Sequence, residues 1–338
     1  MHDILFLLLS LLFILISAEG FTNGVESLGR RFSFSQAVVG SILAAVGTAL
    51  PETILPVVAI FFYKGHSAKD IGIGAILGAP FMLSTLAFFL VGLTASVSYI
   101  KKRRPLEITI EAHSTRRDLF FFLPMYSFAV FVPMIAGRAF SLPAAALLIG
   151  SYIFYAYMTF KGESADLEHS EEMYLWKILN RIRKTDSADP HFIAIMVQII
   201  VALSVMIFGA HVFVQSLEHI STKLGLSPLL FSLMIAPIAT ELPEKFNSVS
   251  WTWKGRDTLA IGNITGAMVF QTTFPVSVGL LFTGWHITGL ALFSAILALT
   301  SSLIVLAQLS LKKKLSPFTL FIGGALYLVY AGTLIFWH

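Results

Sequence analysis

Cysteine is absent from this 338-residue chain, which excludes disulfide bonds and thiolate metal sites. Charge is scarce as well: Asp, Glu, Lys and Arg make up 12% of the residues, against roughly 25% in a soluble domain. Segments of period-2 alternation are missing, which excludes a membrane barrel, and an open sheet would leave backbone groups unpaired in lipid. Neither Gly-x-Gly-Asp nor His-Glu-x-x-His occurs, so the intramembrane-protease signatures are lacking and the chain does not read as an enzyme. No EF-hand loop, with its spaced acids and central glycine, is present either.

What remains is apolar: 56% of the residues are hydrophobic and the mean hydropathy is +0.81. Ten apolar runs stand at 3–22, 34–62, 71–98, 119–136, 139–160, 191–217, 226–252, 257–284, 287–309 and 315–337. Each is near the length of about 20 residues that a helix needs to cross the hydrocarbon core. The expected fold is an all-α integral membrane protein with ten transmembrane helices. The net charge of +4 does not point to nucleic acid, because the basic residues sort by membrane side. Eighteen of the 23 Lys and Arg fall in the loops after the odd-numbered spans, whereas the opposite side holds only Lys64, Lys69, Arg138 and Lys223. The positive-inside rule then makes the odd loops cytoplasmic and puts both termini outside. Arg30 and Arg31 follow the first span and no Lys or Arg precedes it; that is the reverse of a secretory signal, so the span reads as a retained helix. A multi-pass protein of the cell (plasma) membrane is expected, with the lipid bilayer as a partner.

One short pattern occurs twice. Gly47-Thr48-Ala49-Leu50-Pro51-Glu52 lies in the second run and Ala239-Thr240-Glu241-Leu242-Pro243-Glu244 in the seventh. Each copy is followed by a Lys-Gly pair and then by Gly-x-x-x-Gly opening the next run: Gly74 with Gly78, and Gly262 with Gly266. Small residues four apart let membrane helices approach closely. Five runs precede the polar stretch 161–190 and five follow it, so the second copy is expected upside down. The chain divides into a first half, 1–160, a cytoplasmic loop, 161–190, and an inverted second half, 191–338. Inverted repeats with interrupted helices in matching positions are the sign of a secondary transporter whose site lies at the midplane.

The chemistry follows from proline and carboxylate together. Proline removes a helical donor, so carbonyls near it, at Ala45 and Pro237 among others, need new partners, and a dehydrated cation is one. Thr48 with Glu52, and Thr240 with Glu244, are four residues apart and share a helix face. Hydroxyl, carboxylate and carbonyl oxygens are hard ligands. Buried carboxylates in a bilayer are costly, and a functional role is the default reading. Glu241 and Lys245 stand in the favourable order for an ion pair along a helix, or Lys245 reaches toward the cytoplasm. Glu52, Glu241, Glu244 and Lys245 together carry −2, the balance of one divalent ion. Among other polar residues, His211 in the sixth run reads as a packing residue and Asn263 as an interhelical hydrogen-bonding one. In the loop, Leu175, Ile178, Leu179 and Ile182 make the stripe of an amphipathic helix lying on the inner membrane surface. The run Lys101–Arg104 reads as a topology determinant facing anionic lipid.

At Gly47–Glu52, Ala239–Glu244 and Gly262-Asn263-Ile264-Thr265-Gly266 the sequence resembles the sodium/calcium exchanger family of the wider cation/calcium antiporter group. The resemblance implies calcium exchanged for sodium between the two repeats. The metal would be held by Glu52 and Glu244, and the motif Thr residues, nearby carbonyls and polar groups on the following helices would complete the sites. The family's serine positions are filled here by Ala49, Glu241, Ala79 and Ala267, and its later polar positions by Leu83 and Gln271. The cation-binding set expected is therefore Glu52, Glu244, Thr48, Thr240, Glu241, Gln271, Ala45 and Pro237. Several sodium-ligating oxygens are missing, which raises proton coupling through Glu241 or a central glutamate as the alternative; a cation channel is a third reading. No cofactor is called for. The expected partners are small inorganic cations, Ca2+ with Na+ or H+ as coupling ion, and the transport unit is expected to be a monomer.

Overall fold

A computed structural model describes residues 2–32, 49–162, 173–183, 190–312 and 314–336. Among these the regular elements are helices, apart from one isolated antiparallel bridge between Ile108 and Leu315. From the N-terminus come α1 (His2–Arg31), α2 (Leu50–Val57), α3 (Ala68–Met82), α4 (Phe88–Ile100), α5 (Ala112–Ala136), α6 (Ser141–Gly162) and the short α7 (Tyr174–Arg183). They are followed by α8 (Phe192–Lys223), α9 (Pro228–Trp253), α10 (Asp257–Gln271), α11 (Phe274–Phe282), α12 (Gly289–Lys312) and α13 (Pro317–Phe336). With α3–α4 and α10–α11 each counted as one rod, eight helices among the described residues are long and apolar enough to cross a membrane, and the described stretches Leu50–Phe62 and Pro228–Glu241 are shorter apolar segments.

Two rods form the centre. In their most apolar stretches 78% of the α3–α4 residues and 67% of the α10–α11 residues are buried, against 17% in α1 and 28% in α5 and α8. The outer helices spend their remaining apolar surface on lipid, as Ile4, Leu5, Phe6 and Leu8 of α1 do.

Both central rods are irregular at matching places. Five and six residues past Ala79 stand Ser84 and Thr85; five and six past Ala267 stand Thr272 and Thr273. In the first, Pro80 lies just ahead of a π-helical turn, Leu83–Ala87. The hydroxyls of Ser84 and Thr85 donate to the carbonyls of Pro80 (2.7 Å) and Phe81 (2.5 Å), and Ser301 of α12 donates to the Ser84 carbonyl at 2.5 Å. In the second, Thr272 and Thr273 donate to Met268 and Val269 carbonyls at 2.9 Å each. Loosened backbone is tolerated at membrane depth only with such replacement donors.

α3 and α9 pack through glycine. A Cβ on Gly74 would lie 2.2 Å from the Leu229 carbonyl oxygen, and one on Gly78 would lie 2.1 Å from that of Leu233. Pro237 removes the helical donor to Leu233, and the stranded oxygen rests on the bare Cα of Gly78. The repeat-related glycines behave otherwise: among the described residues nothing lies within 4 Å of a Cβ on Gly262, and the nearest atom to one on Gly266 is the Tyr155 hydroxyl at 3.7 Å. They line a cavity instead of a helix contact, contrary to the close-packing role the motif suggests. α1 and α8 form a pair of their own through Gly209, where a Cβ would meet Ser10 and Ile14 of α1 at 3.1 Å.

The two ends of the bundle are tied differently. At one end Arg104 donates to both carboxylate oxygens of Asp257 at 2.5 Å, and Lys101 and Arg103 lie over the Trp253 ring. The basic run is thus largely engaged with protein, where the sequence suggested lipid; Asp257, buried in the first turn of α10, needs a cation. At the other end Glu218 of α8 bonds Tyr63 and Ser67, and Asp3 of α1 pairs with Lys223 and His219. His211 packs edge-on to Tyr63, a packing role as expected. α7 is helical, but Trp176 packs on protein beside Ile195 while Ile178 is 56% exposed. Its first N–H groups, of Tyr174 and Leu175, donate to Asn23 of α1 (3.0 Å) and Gln198 of α8 (2.8 Å). Residues 163–172 and 184–189 lie outside the described residues.

Candidate functional site

Glu52 stands in the first turn of α2, behind Pro51. Proline fits a helix start, where its missing donor has no partner to lose, and a carboxylate there meets the positive end of the helix dipole. Glu52 is buried, with 7% of its surface exposed. Ala45 and Thr48, two of the expected ligands, lie outside the described residues.

The second copy is built differently. The prolines lead one to expect a broken helix, yet α9 runs on from Pro228 to Trp253 through Pro237 and Pro243. A bilayer helix keeps its course past proline when neighbours absorb the freed carbonyl, as Gly78 does for Leu233. Thr240 is buried and donates to the Ala236 carbonyl at 3.2 Å; the donation leaves its oxygen lone pairs for another partner. Glu241 and Lys245 are both 1% exposed, and Nζ lies 3.4 Å from Oε2. Lys245 therefore reaches Glu241 and does not turn out toward the basic end. Glu244 belongs to α9 by its backbone, and its side chain lies outside the described residues.

Two cavities meet at Glu52. The smaller is bounded by Glu52, Leu55 and Pro56 of α2, Ala75 and Ala79 of α3, and Ala236, Pro237 and Thr240 of α9. The larger, of about 490 Å³, has Ala49, Glu52, Glu241 and Gln271 among its walls. Gln271, the last residue of α10, is buried there. The structure thus brings Glu52, Thr240, Glu241, Gln271 and Pro237 around adjoining spaces. Asn263 lines the larger cavity and donates to Ser248 at 3.4 Å, an interhelical bond as expected. All these groups offer oxygen, and hard cations take oxygen. Among the described residues no three His, Cys, Asp or Glu side chains cluster closely enough to hold a metal, so two carboxylates are the described anionic complement.

From these buried groups the larger cavity extends to Glu111 and Thr258 at the end that carries Arg104 and Asp257. On the way stands a residue that the sequence did not single out, Asp118 of α5. It is 2% exposed and accepts from Tyr155 of α6 (3.0 Å), Thr265 of α10 (2.7 Å) and Arg117 (3.4 Å). Its place after two arginines made it look like loop, just ahead of the run 119–136. The helix begins two turns earlier, at Ala112, and that earlier start is what buries it.

The profile of the family described as Sodium/calcium exchanger protein matches residues 2–161 and 194–337. An uncharacterised membrane protein of Methanocaldococcus jannaschii is 25% identical, over 89% of this chain and 88% of its own. Among solved structures, the H+/Ca2+ exchanger CAX superposes with a TM-score of 0.70 at 19% identity, covering 98% of this chain and 82% of CAX. The sodium-calcium exchanger NCX_Mj superposes with a TM-score of 0.58 at 21% identity, covering 98% of both chains. At such identities the two structures speak for the fold, while the profile spans nearly the whole chain: the protein belongs to the sodium/calcium exchanger family.

Proposed function

We propose that the protein is a secondary-active antiporter that exchanges calcium for sodium by alternating access, at a midplane site built from the two Leu-Pro-Glu segments. One observation carries this reading: Glu52 of the first segment and Glu241 of the second line one cavity with Gln271, and Glu52 shares the adjoining one with Thr240 and Pro237. Residues nearly two hundred apart in sequence meet around a space walled by oxygen donors. Glu52, Glu241, Glu244 and Lys245 together carry −2 when ionised, the charge that balances one divalent ion. Ten spans in two inverted halves, with both termini outside, go with the reading. The matching irregular turns after Ala79 and Ala267 support the repeat. In this orientation the basic end is cytoplasmic and the large cavity is the inward access route to the site. The working unit is a monomer in the plasma membrane.

A second reading, coupling to protons, is favoured by the Glu241–Lys245 pair. Where the family's serine would offer sodium a hydroxyl, this chain holds a carboxylate with an ammonium already beside it. The deciding experiment is uptake of radiolabelled calcium into proteoliposomes under an imposed sodium or proton gradient, with Glu52→Gln and Glu244→Gln as controls. Sodium-driven uptake that both substitutions abolish is the expected result. Uptake in sodium-free medium that follows the pH gradient selects proton coupling, and normal flux in both variants overturns the site.

A further inference from the structure

We propose that Asp118 is a way-station for the transported cation, taking the ion between the Glu111 mouth of the large cavity and the buried carboxylates beyond, in exchange for Arg117. The inference rests on the antiporter reading above. Glu111, Ser114 and Asp118 lie three and four residues apart at the start of α5, so they share one face, and all three line the cavity. From Glu111 to Asp118 the helix rises about 10 Å. The acids thus follow one another along the cavity, with exposed Glu111 at its mouth, then buried Asp118, then the buried Glu52 and Glu241.

The partners of Asp118 suit a stopping place. Two of them, the Tyr155 and Thr265 hydroxyls, are neutral and come from two other helices. They fix the carboxylate without cancelling its charge. The third, the Arg117 guanidinium, is the longest contact, at 3.4 Å. Arg117 also lies over the Tyr155 ring, 5.6 Å from its centroid, and this cation–π contact gives the guanidinium a resting place when an ion takes the carboxylate. A divalent ion outcompetes a monovalent guanidinium on charge alone. The tethered arginine in turn keeps the ion's hold weak enough for it to move on, as conduction through successive sites requires. A carboxylate needed only to join helices has no reason to face the ion's cavity.

The test measures initial rates of radiolabelled calcium transport in vesicles of both orientations, as a function of calcium at each face. Asp118→Asn is expected to raise the half-saturating calcium at the basic-end face about tenfold, the loss of a charge-assisted contact, with the opposite face and the maximum rate unchanged; Asp118→Glu restores it. Arg117→Gln is expected to move the same quantity the other way. An unchanged half-saturation at the basic face in Asp118→Asn overturns the proposal. So does an equal rise at both faces with a fallen maximum rate, which marks mere support of the fold. If Asp118→Asn cannot be recovered folded, Arg117→Gln decides, and wild-type half-saturation there overturns the proposal. Glu52→Gln separates the two levels: flux that survives it removes the antiporter site itself, and this inference with it.

Discussion

Glu218 of α8 accepts the Tyr63 hydroxyl at 2.5 Å, and its other oxygen accepts the Ser67 N–H at 2.7 Å. The carboxylate thereby ties the α1–α8 pair to the link between α2 and α3, at the end of the bundle away from the large cavity's mouth. Burial and the neighbouring carboxylate push the Tyr63 phenol up, so it stays a donor across the physiological range. Gly65 completes the arrangement: a Cβ there would lie 2.2 Å from Glu218 Oε2 and 2.3 Å from the Tyr63 ring.

Glu218→Gln is expected to cost about 1.5–3 kcal/mol, the range for hydrogen bonds to a charged group. It will appear as a lower unfolding midpoint of the detergent-extracted protein. Gly65→Ala breaks the same bonds from the other side, so the double variant will be less destabilised than the sum of the singles. Additive losses would show that the two positions do not share one contact.

The two Gly-x-x-x-Gly motifs should respond in opposite ways. Gly78→Ala drives a methyl to 2.1 Å from the Leu233 carbonyl, so α3 and α9 must separate and the Leu233 oxygen loses its cover. Strong destabilisation or loss of expression is expected. Gly262→Ala meets nothing within 4 Å among the described residues, and a helix gains about 1 kcal/mol on replacing Gly by Ala. Equal unfolding midpoints for the two variants would contradict the packing described for α3 and α9.

That asymmetry marks the limit of what the sequence conveyed. The apolar runs and the two Leu-Pro-Glu copies were legible, because hydropathy and spacing report directly on burial in a bilayer, whereas Gln271 was reached only through the resemblance to the family. Identical motifs said nothing of their surroundings: Gly74 and Gly78 face the backbone of α9, while Gly262 and Gly266 line the larger cavity. Proline was misleading for a similar reason. Whether it breaks a helix depends on who receives the freed carbonyl, and Gly78, over 150 residues away, receives that of Leu233. Asp118 and Arg104 were hidden by company, since charges in a run look like loop until a structure gives each a partner.

Arg104 offers a sharp check on that last point. Its guanidinium bonds both oxygens of Asp257, with the two side chains 8% and 2% exposed, and also donates to the Thr252 and Glu107 carbonyls. Removing one partner of a buried pair costs about 3–5 kcal/mol. Arg104→Lys keeps the charge but loses the planar fork, so it should restore little of the stability that Arg104→Ala removes. A lysine variant as stable as wild type would return the residue to the topology role that its sequence context suggested.

The buried pair of Glu241 and Lys245 makes the last prediction. Each single neutralisation, Glu241→Gln or Lys245→Gln, leaves the opposite charge in a site that is 1% exposed, at about 3–5 kcal/mol. Neutralising both removes the two desolvation penalties together, so the double variant should unfold at a higher temperature than either single one. The same four proteins report on coupling. With Lys245→Gln the place beside Glu241 loses its tethered ammonium, and a monovalent cation can take it. Addition of sodium should then raise the unfolding midpoint of Lys245→Gln more than that of wild type, and should do nothing extra for the double variant. If sodium shifts all four proteins alike, Lys245 does not occupy a cation's place, and the pair serves only to hold α9 in shape.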